Sequence, residues 1–405
     1  MNGNQFGRLF RMTTYGESHG PGMGVTVSGC PAGLELDREE IQAELDRRKP
    51  GQSKVTTSRD EPDAVTINSG IQDGYTTGTP IGMTIENKDA RSGKYEPFVT
   101  APRPSHGDFT YSAKFGTRNW GGGGRSSARE TANWVAAGAI ARKVNRSQGI
   151  EVRAHVNQIG EVRSPEVSWE QMADVEGNEV RCADPETADR MREVVDDYQR
   201  EGDSIGGSIR FEIRGAPRGL GAPRFDSIPA RLGAAMMAIP ATTAFEFGLG
   251  RGARAVSGSE RNEDWTFDGT DDEDDGDGER GDPIPVGNDH AGLQGGITTG
   301  QPIYGHVTWH APTSIPIEQT TVDWETGEHE EAQVIGRHDP VLPPRAVPVV
   351  EAMAHLTLVD FMLLGGRINP DRLDGDVGEY DTEYHPSSPQ NDPDDVPTRA
   401  EPTED

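Results

Sequence analysis

Two short loops in this chain share a sequence, and only one of them carries a histidine. The segment Gly-Glu-Ser-His-Gly at 16–20 returns as Gly-Asp-Ser-Ile-Gly at 202–206, so Ile205 stands in the place of His19. An imidazole titrates near neutral pH and can therefore give or take a proton in a reaction. Glycines on both sides let the backbone come close to a ligand. The pattern indicates a duplicated scaffold in which the copy with His19 performs the chemistry.

The first loop also matches the Gly-x-Ser-x-Gly pattern of a hydrolase nucleophile elbow, which would make Ser18 a nucleophile. That turn needs a helix directly after the serine. Here residues 20–24, Gly-Pro-Gly-Met-Gly, lead straight into an alternating strand pattern. A serine hydrolase is therefore the weaker enzyme hypothesis. A flavin- or phosphate-binding protein without catalysis is the alternative outside the enzymes.

Two further histidines lie in runs that occupy corresponding places in the two halves. Residues 103–108 read Arg-Pro-Ser-His-Gly-Asp, and prolines at 102 and 104 stiffen the backbone before His106. Residues 336–340 read Gly-Arg-His-Asp-Pro and place Asp339 shortly before a long apolar segment. An ordinary turn is the alternative for the run at 103–108. Because both runs lead into segments with further arginines, we interpret them as parts of a site.

A glycine-rich segment follows the first of these runs. Four glycines at 121–124 precede Arg125 and two serines, and Ser127 and Glu130 have the spacing of a capping box. We expect free backbone N–H groups at a helix N-terminus here, with Arg129 on nearly the same face as Arg125. Such a group favours a phosphate, although the segment is neither a Walker loop nor a dinucleotide fingerprint. A flexible linker before a helix is the alternative.

The charge of the chain is strongly negative, with 39 basic against 68 acidic residues and a net charge of -29. Nucleic acid is therefore not expected as a partner. Such acidity favours a protein from a very salty cytoplasm, where salt screens the repulsion between carboxylates, and we expect the fold to need salt. Basic clusters in such a chain indicate sites for phosphate or carboxylate. The arginines in the motifs are Arg47, Arg48, Arg103, Arg125, Arg129, Arg337 and Arg345.

The cysteines and the hydropathy indicate a reduced, intracellular protein. Cys30 and Cys182 are too few for a disulfide framework and lack the spacing of metal ligands, so we expect no metal. No run of about eighteen apolar residues and no secretory leader pattern occurs, so we expect no membrane partner. The expected location is the cytoplasm.

Periodicity predicts an α+β fold. Alternating runs that predict strands with one buried face, in largely antiparallel sheets, lie at 24–28, 208–213 and 304–309. A helix over 38–48 has cap residues Asp37 and Glu40, and a helix near 227–239 takes its place in the second half. Longer apolar helices, expected to pack between sheets, close the halves at 126–145 and 346–364.

Further echoes support an internal repeat. Residues 29–34 match 215–220, and residues 76–81 match 298–303. We therefore predict one domain over 1–368, with halves of about 1–150 and 151–368. The acidic region 262–286 is expected to be an inserted surface loop, and the acidic, proline-rich region 369–405 a disordered tail.

Taken together, these motifs resemble the chorismate synthase family. The resemblance covers roughly residues 3–367 and rests on a combination of segments: 16–20, Arg-Arg-Lys-Pro-Gly at 47–51, 122–132 and 336–340. It implies a β-α-β sandwich with a pseudo-twofold repeat, in which antiparallel sheets flank central helices, assembled as a homotetramer. It implies a 1,4-elimination of phosphate from 5-enolpyruvylshikimate 3-phosphate to give chorismate, the last common step of aromatic amino acid biosynthesis. The implied cofactor is reduced FMN, which emerges unchanged.

The resemblance also implies roles for individual residues. His19 would protonate the departing phosphate, His106 would stabilise the reduced flavin near N1 and O2, and Asp339 would relay a proton near N5. Clamps for the substrate's anionic groups, or contacts to NADP, would be Arg48, Arg103 and Arg129. The positions that match flavin-binding residues of the family are Arg125, Ser126, Ser127, Gly295, Ala311, Pro312, Thr313, Ser314, Ile315 and Arg337.

Several positions depart from the family pattern. Ser105 stands where glycine is frequent, Ala311 where lysine is usual, and Ile315 where serine is common. The missing lysine removes a cation from the region of the flavin phosphate, so the nearby arginines are expected to carry more of its charge. Lys54 replaces an arginine associated with nicotinamide contacts. Two sources of reduced flavin are therefore expected as alternatives. Either this protein reduces the flavin with NADPH, or an external reductase does so.

Overall fold

The computed structural model describes residues 3–51, 61–88, 92–267, 281–336 and 338–373. Four predicted features lie outside these residues: the positions Lys54 and Arg337, the centre of the acidic insertion at 268–280, and the tail beyond residue 373.

The helices of the described residues include the four that the periodicity predicted and three that it did not predict. They are α1 (Arg38–Arg48), α2 (Asp108–Phe115), α3 (Thr131–Ser147), α4 (Pro185–Glu201), α5 (Ile228–Met237), α6 (Gly258–Arg261) and α7 (Pro343–Leu364). The predicted helices are α1, α3, α5 and α7, and those not predicted are α2, α4 and α6. The predicted cap of α1 is confirmed, because the Asp37 carboxylate accepts from the Glu40 N–H and the Glu40 side chain accepts from the Asp37 N–H. The start of α3 was predicted too early, since 3-10 turns at Gly124–Ser126 and Ala128–Glu130 precede it.

Most strands are short, and two antiparallel sheets contain the longer ones. In chain order the strands are β1 (Gln5–Phe6), β2 (Arg11–Gly16), β3 (Gly22–Ser28), β4 (Val65–Ser69), β5 (Ile71–Gln72), β6 (Tyr75–Thr76), β7 (Ile81–Glu86), β8 (Glu151–Ile159), β9 (Val162–Arg163), β10 (Gly207–Arg214), β11 (Thr242–Phe247), β12 (Trp265–Phe267), β13 (Pro283–Pro285), β14 (Leu293–Gln294), β15 (Ile297–Thr298), β16 (Ile303–Trp309), β17 (Gln319–Val322) and β18 (His329–Ala332). One five-stranded sheet has the order β1-β2-β3-β7-β4, and the other has the order β11-β16-β10-β8-β9. The fold is therefore a mixed α+β fold with antiparallel sheets.

Each sheet buries one face against a shared layer of helices. Alternate residues of the central strands are buried, as at Met23, Val25 and Val27 of β3, which is the pattern of a sheet with one face in the core. Helix α3 packs on β2 and β3, helix α7 packs on β8 and β10, and the two helices pack on each other. At their crossing Gly138 of α3 faces Ala352 of α7. One continuous hydrophobic core therefore joins both sheets through these helices.

The segments that echo each other in sequence make the same local bonds. The hydroxyl of Thr76 donates to the Pro31 carbonyl at 2.6 Å and accepts from the Leu34 N–H at 2.9 Å. Thr298, its counterpart, donates to a proline carbonyl at 2.6 Å and accepts from a leucine N–H at 2.8 Å. Because a threonine hydroxyl that both donates and accepts fixes two backbone strands at once, the shared sequence corresponds here to shared geometry.

The predicted start of the tail needs correction, and the ends of the acidic insertion are more regular than its composition indicates. These described ends form the β12–β13 ladder, in which Trp265 pairs with Pro285 and the residues of β12 are exposed. The tail does not begin at residue 369, because the Leu373 N–H donates to the Ala32 carbonyl at 2.9 Å and its side chain packs on the core. Backbone pairing outweighs the polar composition at both places.

Helix α7 is the one helix of the described residues that is long and apolar enough to cross a membrane by length and composition. However, 94% of its most apolar window is buried inside the protein. A helix that is apolar on all sides is expected at the centre of a large core. Its composition is therefore explained by the contacts with α3 and the second sheet.

The crossing of α3 and α7 predicts a cost for any side chain at Gly138. A Cβ atom there would lie 2.3 Å from the Ala352 Cβ, so Gly138→Ala must push the helices apart. We expect the free energy of unfolding to fall by about 1–3 kcal/mol, despite the better helix propensity of alanine. Urea unfolding in molar salt, followed by circular dichroism, measures the change.

The matched control is Gly233→Ala in α5, where the nearest atom to a new Cβ is a Phe245 ring carbon at 3.4 Å. This contact is ordinary, so we expect no loss of stability and a gain of up to about 1 kcal/mol. Equal destabilisation by both substitutions would contradict the proposed role of the Gly138 contact.

Candidate functional site

A cavity of about 490 Å³ opens where the helix layer ends. Its wall is formed by the C-terminal end of α1, the segment before α3, the end of α5, the segment after β16 and the start of α7. Its volume lies in the range of small-molecule and cofactor sites. The predicted site residues in its wall are His19, Arg48, Arg103, His106, Ser126, Ser127, Arg129, Pro312, Thr313, Ser314 and Asp339.

Four predicted flavin-binding positions do not line this cavity: Arg125, Gly295, Ala311 and Ile315. The Arg125 guanidinium donates to both oxygens of Glu130 at 2.8 Å. Gly295 lies in the turn between β14 and β15. Arg337 lies outside the described residues.

The predicted capping box before α3 is wrong. Ser127 accepts from the Arg129 N–H, but the Glu130 carboxylate is occupied by Arg125 instead of turning back to Ser127. The two arginines also diverge, since Arg129 pairs with Asp63. An ion pair with a nearby arginine therefore competes successfully with the local cap.

The loop between β2 and β3 places His19 over the glycine-rich segment. A Cβ on Gly122, whose φ is +67°, would lie 2.3 Å from the His19 ring, so only glycine fits beneath the imidazole. The Tyr95 ring meets the imidazole edge-on, with the ring centroids 5.3 Å apart. Both contacts restrict the rotation of the His19 side chain.

Ser18 is not placed as a hydrolase nucleophile. It is 1% exposed, and its hydroxyl donates to the Gly122 carbonyl at 3.2 Å. The chain continues from its loop into β3 and not into a helix, which excludes the elbow geometry. The second copy of the loop uses its serine in the same way, because the Ser204 hydroxyl donates to the Pro312 carbonyl at 2.6 Å. Each serine therefore holds the backbone of a cavity wall.

His106 is held between two hydrogen bonds that define its tautomer. Its Nδ1 lies 2.7 Å from the Pro104 carbonyl, which can only accept, so Nδ1 carries the proton. Its Nε2 lies 2.7 Å from the Ser314 hydroxyl, which therefore donates. Burial, and secondarily the nearby Arg103 guanidinium, lower the pKa of His106 below its ordinary value. The imidazole is thus neutral at neutral pH.

Arg103 is fixed by a bidentate ion pair. Its Nε and Nη2 donate to the two oxygens of Asp108 at 2.8 and 2.9 Å, and its own backbone N–H donates to the same carboxylate. Burial opposes the charged form of Asp108, but the bonds from Arg103 outweigh it, and the pKa of Asp108 is lowered. The guanidinium also lies over the Tyr95 ring, 5.3 Å from its centroid. Its orientation in the cavity wall is therefore fixed before any ligand binds.

Arg48 and Arg129 share one buried carboxylate. Asp63 is fully buried, and its two oxygens accept from Arg48 Nη1 at 3.1 Å and from Arg129 Nη1 at 2.6 Å. Glu61 is also fully buried and lies 3.6 Å from the second terminal nitrogen of Arg129. Burial, and after it the repulsion of Arg345, lower the pKa of Arg48 to about 9. This value still leaves the guanidinium charged at neutral pH.

The start of α7 adds a further ion pair to the wall. The Asp339 carboxylate accepts from Arg345 Nη1. Beside it, the buried Nε2 of His338 has no hydrogen-bond partner among the described residues. Burial lowers the pKa of His338, and Asp339 only partly opposes this. A neutral imidazole with a buried ring nitrogen, unpaired among the described residues, therefore packs against Gly336 in the wall of the cavity.

Lys94 supplies a cation whose charge is not balanced by an ion pair in the described part of the chain. The guanidinium groups of the wall, in contrast, are paired with carboxylates inside the protein. The pairs are Arg48 and Arg129 with Asp63, Arg103 with Asp108, and Arg345 with Asp339. Lys94 lies close enough to His338 to help lower the pKa of that imidazole. Lys94 therefore makes the cavity attractive to an anion.

Several of these residues were missed from the sequence. Asp63 and Glu61 stood out in no way among 68 acidic residues. Tyr95 and Lys94 follow no motif, and only the fold brings them to the cavity. His338 and Arg345, in contrast, belong to motif segments that the sequence analysis had singled out, although it gave them no individual role.

An α+β chain that gathers imidazoles, guanidinium groups and hydroxyls around one internal cavity is typical of a metabolic enzyme. A profile described as chorismate synthase matches residues 10–363. The chain belongs to the chorismate synthase family.

Relatives named chorismate synthase match almost the whole chain. The protein from Haloquadratum walsbyi is 74% identical over 391 residues, which cover 96% of this chain and 100% of the relative. The protein from Methanosarcina mazei is 47% identical and covers 93% of this chain and 100% of the relative. A crystal structure of a chorismate synthase has a TM-score of 0.69 at 28% identity and covers 89% of this chain and 93% of that chain. The resemblance, and with it the halophilic archaeal type, is confirmed.

The contacts of His106 predict its titration. We expect nitrogen NMR in molar salt to show the proton on Nδ1 at pH 7 and a midpoint below about 6.5, the value of an unperturbed histidine. Ser314→Ala removes a donor that stabilises the neutral ring, so it should raise the pKa of His106. Ser126→Ala is the control, because that hydroxyl donates to the Gly123 carbonyl. A midpoint at or above about 6.5, or a proton on Nε2, would contradict the assigned tautomer and the lowered pKa of His106.

Proposed function

We propose that the protein converts 5-enolpyruvylshikimate 3-phosphate to chorismate and inorganic phosphate with reduced FMN. The observation that carries the proposal is that His19 and His106, found in separate motifs, lie in the wall of one cavity with fixed arginines. Family membership supplies the reaction that this arrangement fits. The elimination breaks the C–O bond to phosphate, removes one hydrogen from carbon and forms one C=C bond.

The cavity fits a flavin in size and in the chemistry of its wall. Left-handed glycines at 122 and 123 add no side chains of their own to the wall, and the hydroxyls of Ser126, Ser127 and Thr313 line the cavity. The unused Nε2 of His338 offers a polar partner. When bound, reduced FMN would supply electron density to the substrate and recover it, so that no net oxidation occurs.

His19 is the proposed acid for the departing phosphate. Its ring is confined between Gly122 and the edge of Tyr95, so it meets the leaving group in one orientation. A phosphate that leaves with an imidazole proton is a far better leaving group than one that leaves unprotonated. The arginines beside it would hold the phosphate in place during the transfer.

His106 and Asp339 are proposed to face the flavin. The proton of His106 lies on Nδ1, and its Nε2 is the atom that could take a second proton. Because burial lowers the pKa of His106, the imidazolium should form only when an anion lies beside it. Asp339, held by Arg345, keeps a carboxylate oxygen near the start of α7 that can accept a proton.

Arg48, Arg103 and Arg129 are the proposed clamps for the anionic groups of the substrate. Their ion pairs with Asp63 and Asp108 cancel most of their net charge. What remains is a set of N–H donors that are oriented in advance, which lowers the entropic cost of binding. This arrangement favours recognition by geometry over attraction by charge.

Further properties remain proposals that rest on the resemblance. They are the β-α-β sandwich with pseudo-twofold halves at 1–150 and 151–368, the homotetramer, the cytoplasmic location, and NADPH as a reductant of the flavin. Three adjacent strands have the same chain order in both sheets, β3-β7-β4 in one and β10-β16-β11 in the other, which favours the repeat. Assays with NADPH alone would separate self-reduction of the flavin from an external reductase.

The proposed reaction predicts the effect of removing each histidine. With chemically reduced FMN, without air and in molar salt, the wild-type protein should release phosphate from 5-enolpyruvylshikimate 3-phosphate. His19→Ala and His106→Ala should each lower kcat by about 100-fold or more, since general acid–base groups contribute factors of this size. Flavin binding, followed by fluorescence, should persist in His19→Ala.

Two controls accompany this experiment. His329→Ala, at an exposed position on β18, should retain wild-type turnover. Ser18→Ala should retain most of it, whereas a hydrolase would lose all activity. No phosphate release by the wild type would refute the proposed reaction, and full turnover of both active-site variants would refute the roles of the histidines.

The charge balance of the cavity predicts a role for Lys94 in binding. Lys94→Ala should raise KM for the phosphorylated substrate about three- to tenfold at the lowest salt that preserves the fold, and less at higher salt. Lys114→Ala is the matched control, because this lysine lies over the Phe115 ring and away from the cavity. An equal KM for both variants and the wild type would show that Lys94 does not attract the substrate.

A further inference from the structure

Asn87 joins the loop of His19 to the guanidinium of Arg129. Its Nδ2 donates to the Glu17 carbonyl and to the Gly20 carbonyl, both at 2.8 Å. Its Oδ1 accepts from Arg129 Nε at 2.7 Å. We propose that Asn87 is a positioning residue that sets the distance between the acid, His19, and the anion clamp, Arg129. This inference rests on the proposed function and extends it.

The bonds of Asn87 allow one orientation of its amide. The two loop carbonyls can only accept, so the NH₂ group must face them, and the guanidinium can only donate, so the oxygen must face Arg129. A flipped amide would lose all three bonds. The backbone N–H of Asn87 adds a bond to the Pro21 carbonyl at 3.1 Å. Among the twenty side chains, only an amide of this length offers two donors and one acceptor in this geometry.

Each side of this bridge is fixed independently. Asn87 directly follows β7, a strand that pairs with β3 and β4, so the sheet holds its backbone. The loop it binds is a tight turn, closed by the bond from the Gly20 N–H to the Glu17 carbonyl. Asn87 binds the carbonyls of Glu17 and Gly20, and these two residues flank Ser18 and His19. A shift of Asn87 would therefore move the imidazole.

The far side of the bridge continues into the buried acid. Arg129 donates from Nη1 to Asp63, and Asp63 accepts from Arg48 as well. A connected set of bonds therefore runs from the His19 loop through Asn87 and Arg129 to Arg48. A phosphate held by the arginines would be placed at a fixed distance from the imidazole that protonates it, and such placement governs the rate of proton transfer.

Two substitutions separate the two sides of the bridge. Asn87→Asp keeps an acceptor for Arg129 but removes both donors to the loop, so we expect kcat to fall about tenfold or more, with KM within about threefold of the wild type. Asn87→Ala removes the acceptor too, so KM should also rise by about threefold or more. Turnover is expressed per folded molecule, from circular dichroism in molar salt.

The matched controls are Asn68→Asp and Asn68→Ala. Asn68 lies on β4 of the same sheet. Its side chain donates to the Thr84 hydroxyl at 3.2 Å, and this hydrogen bond is exposed to solvent. These variants should keep both kcat and KM. The positioning role is refuted if Asn87→Asp keeps the wild-type kcat. It is also refuted if Asn87→Asp changes kcat and KM by the same factors as Asn87→Ala.

A second measurement does not depend on the reaction. The ring-proton signal of His19, assigned by its loss in His19→Ala, reports its position against the Tyr95 ring. It should move in Asn87→Ala and stay in place in Asn68→Ala. An unchanged signal in Asn87→Ala would overturn the inference even if phosphate is released, and a moved signal would support it even if the proposed reaction fails.

Discussion

The close contact between α3 and α7 at Gly138 and Ala352 determines how the rest of the molecule is arranged. At this point only the methyl group of Ala352 lies between the two backbones, and the helices pack on each other while each also contacts its own sheet. Their first residues then reach the same end of the helix layer. The cavity forms there, since Thr131 of α3 and Arg345 of α7 are both part of its wall.

The site that results is built mainly from ion pairs inside the protein. Asp63 and Asp108 lie behind the arginines of the wall and fix their directions. Buried charges of this kind are costly unless each is paired and bonded, which explains why the carboxylates accompany the arginines. The histidines, in contrast, stay neutral where burial dominates, as at His106. The cavity therefore combines fixed cations with proton carriers.

Local patterns in the sequence predicted α1, α3, α5 and α7 and some of the strands but not α4, and contacts between distant segments decided the details. The cap of α1 depends on Asp37 and Glu40, three residues apart, and was correct. The start of α3 depends on Arg125, whose pairing with Glu130 replaced the expected cap. Asp63 could not be recognised, because its importance comes from two arginines far away in the chain. Motifs thus located the cavity, but the charges behind it required the fold.

The two serines of the duplicated loop bear on how such a chain can change over time. Ser18 and Ser204 each hold the backbone of a cavity wall, but the next residue is His19 in one loop and Ile205 in the other. Because both loops belong to one chain, a mutation in one of them leaves the other unchanged. One loop can therefore keep its histidine while the other carries a side chain that packs on the core. A single chain can thus use the same serine bond twice and place a proton carrier beside only one of them.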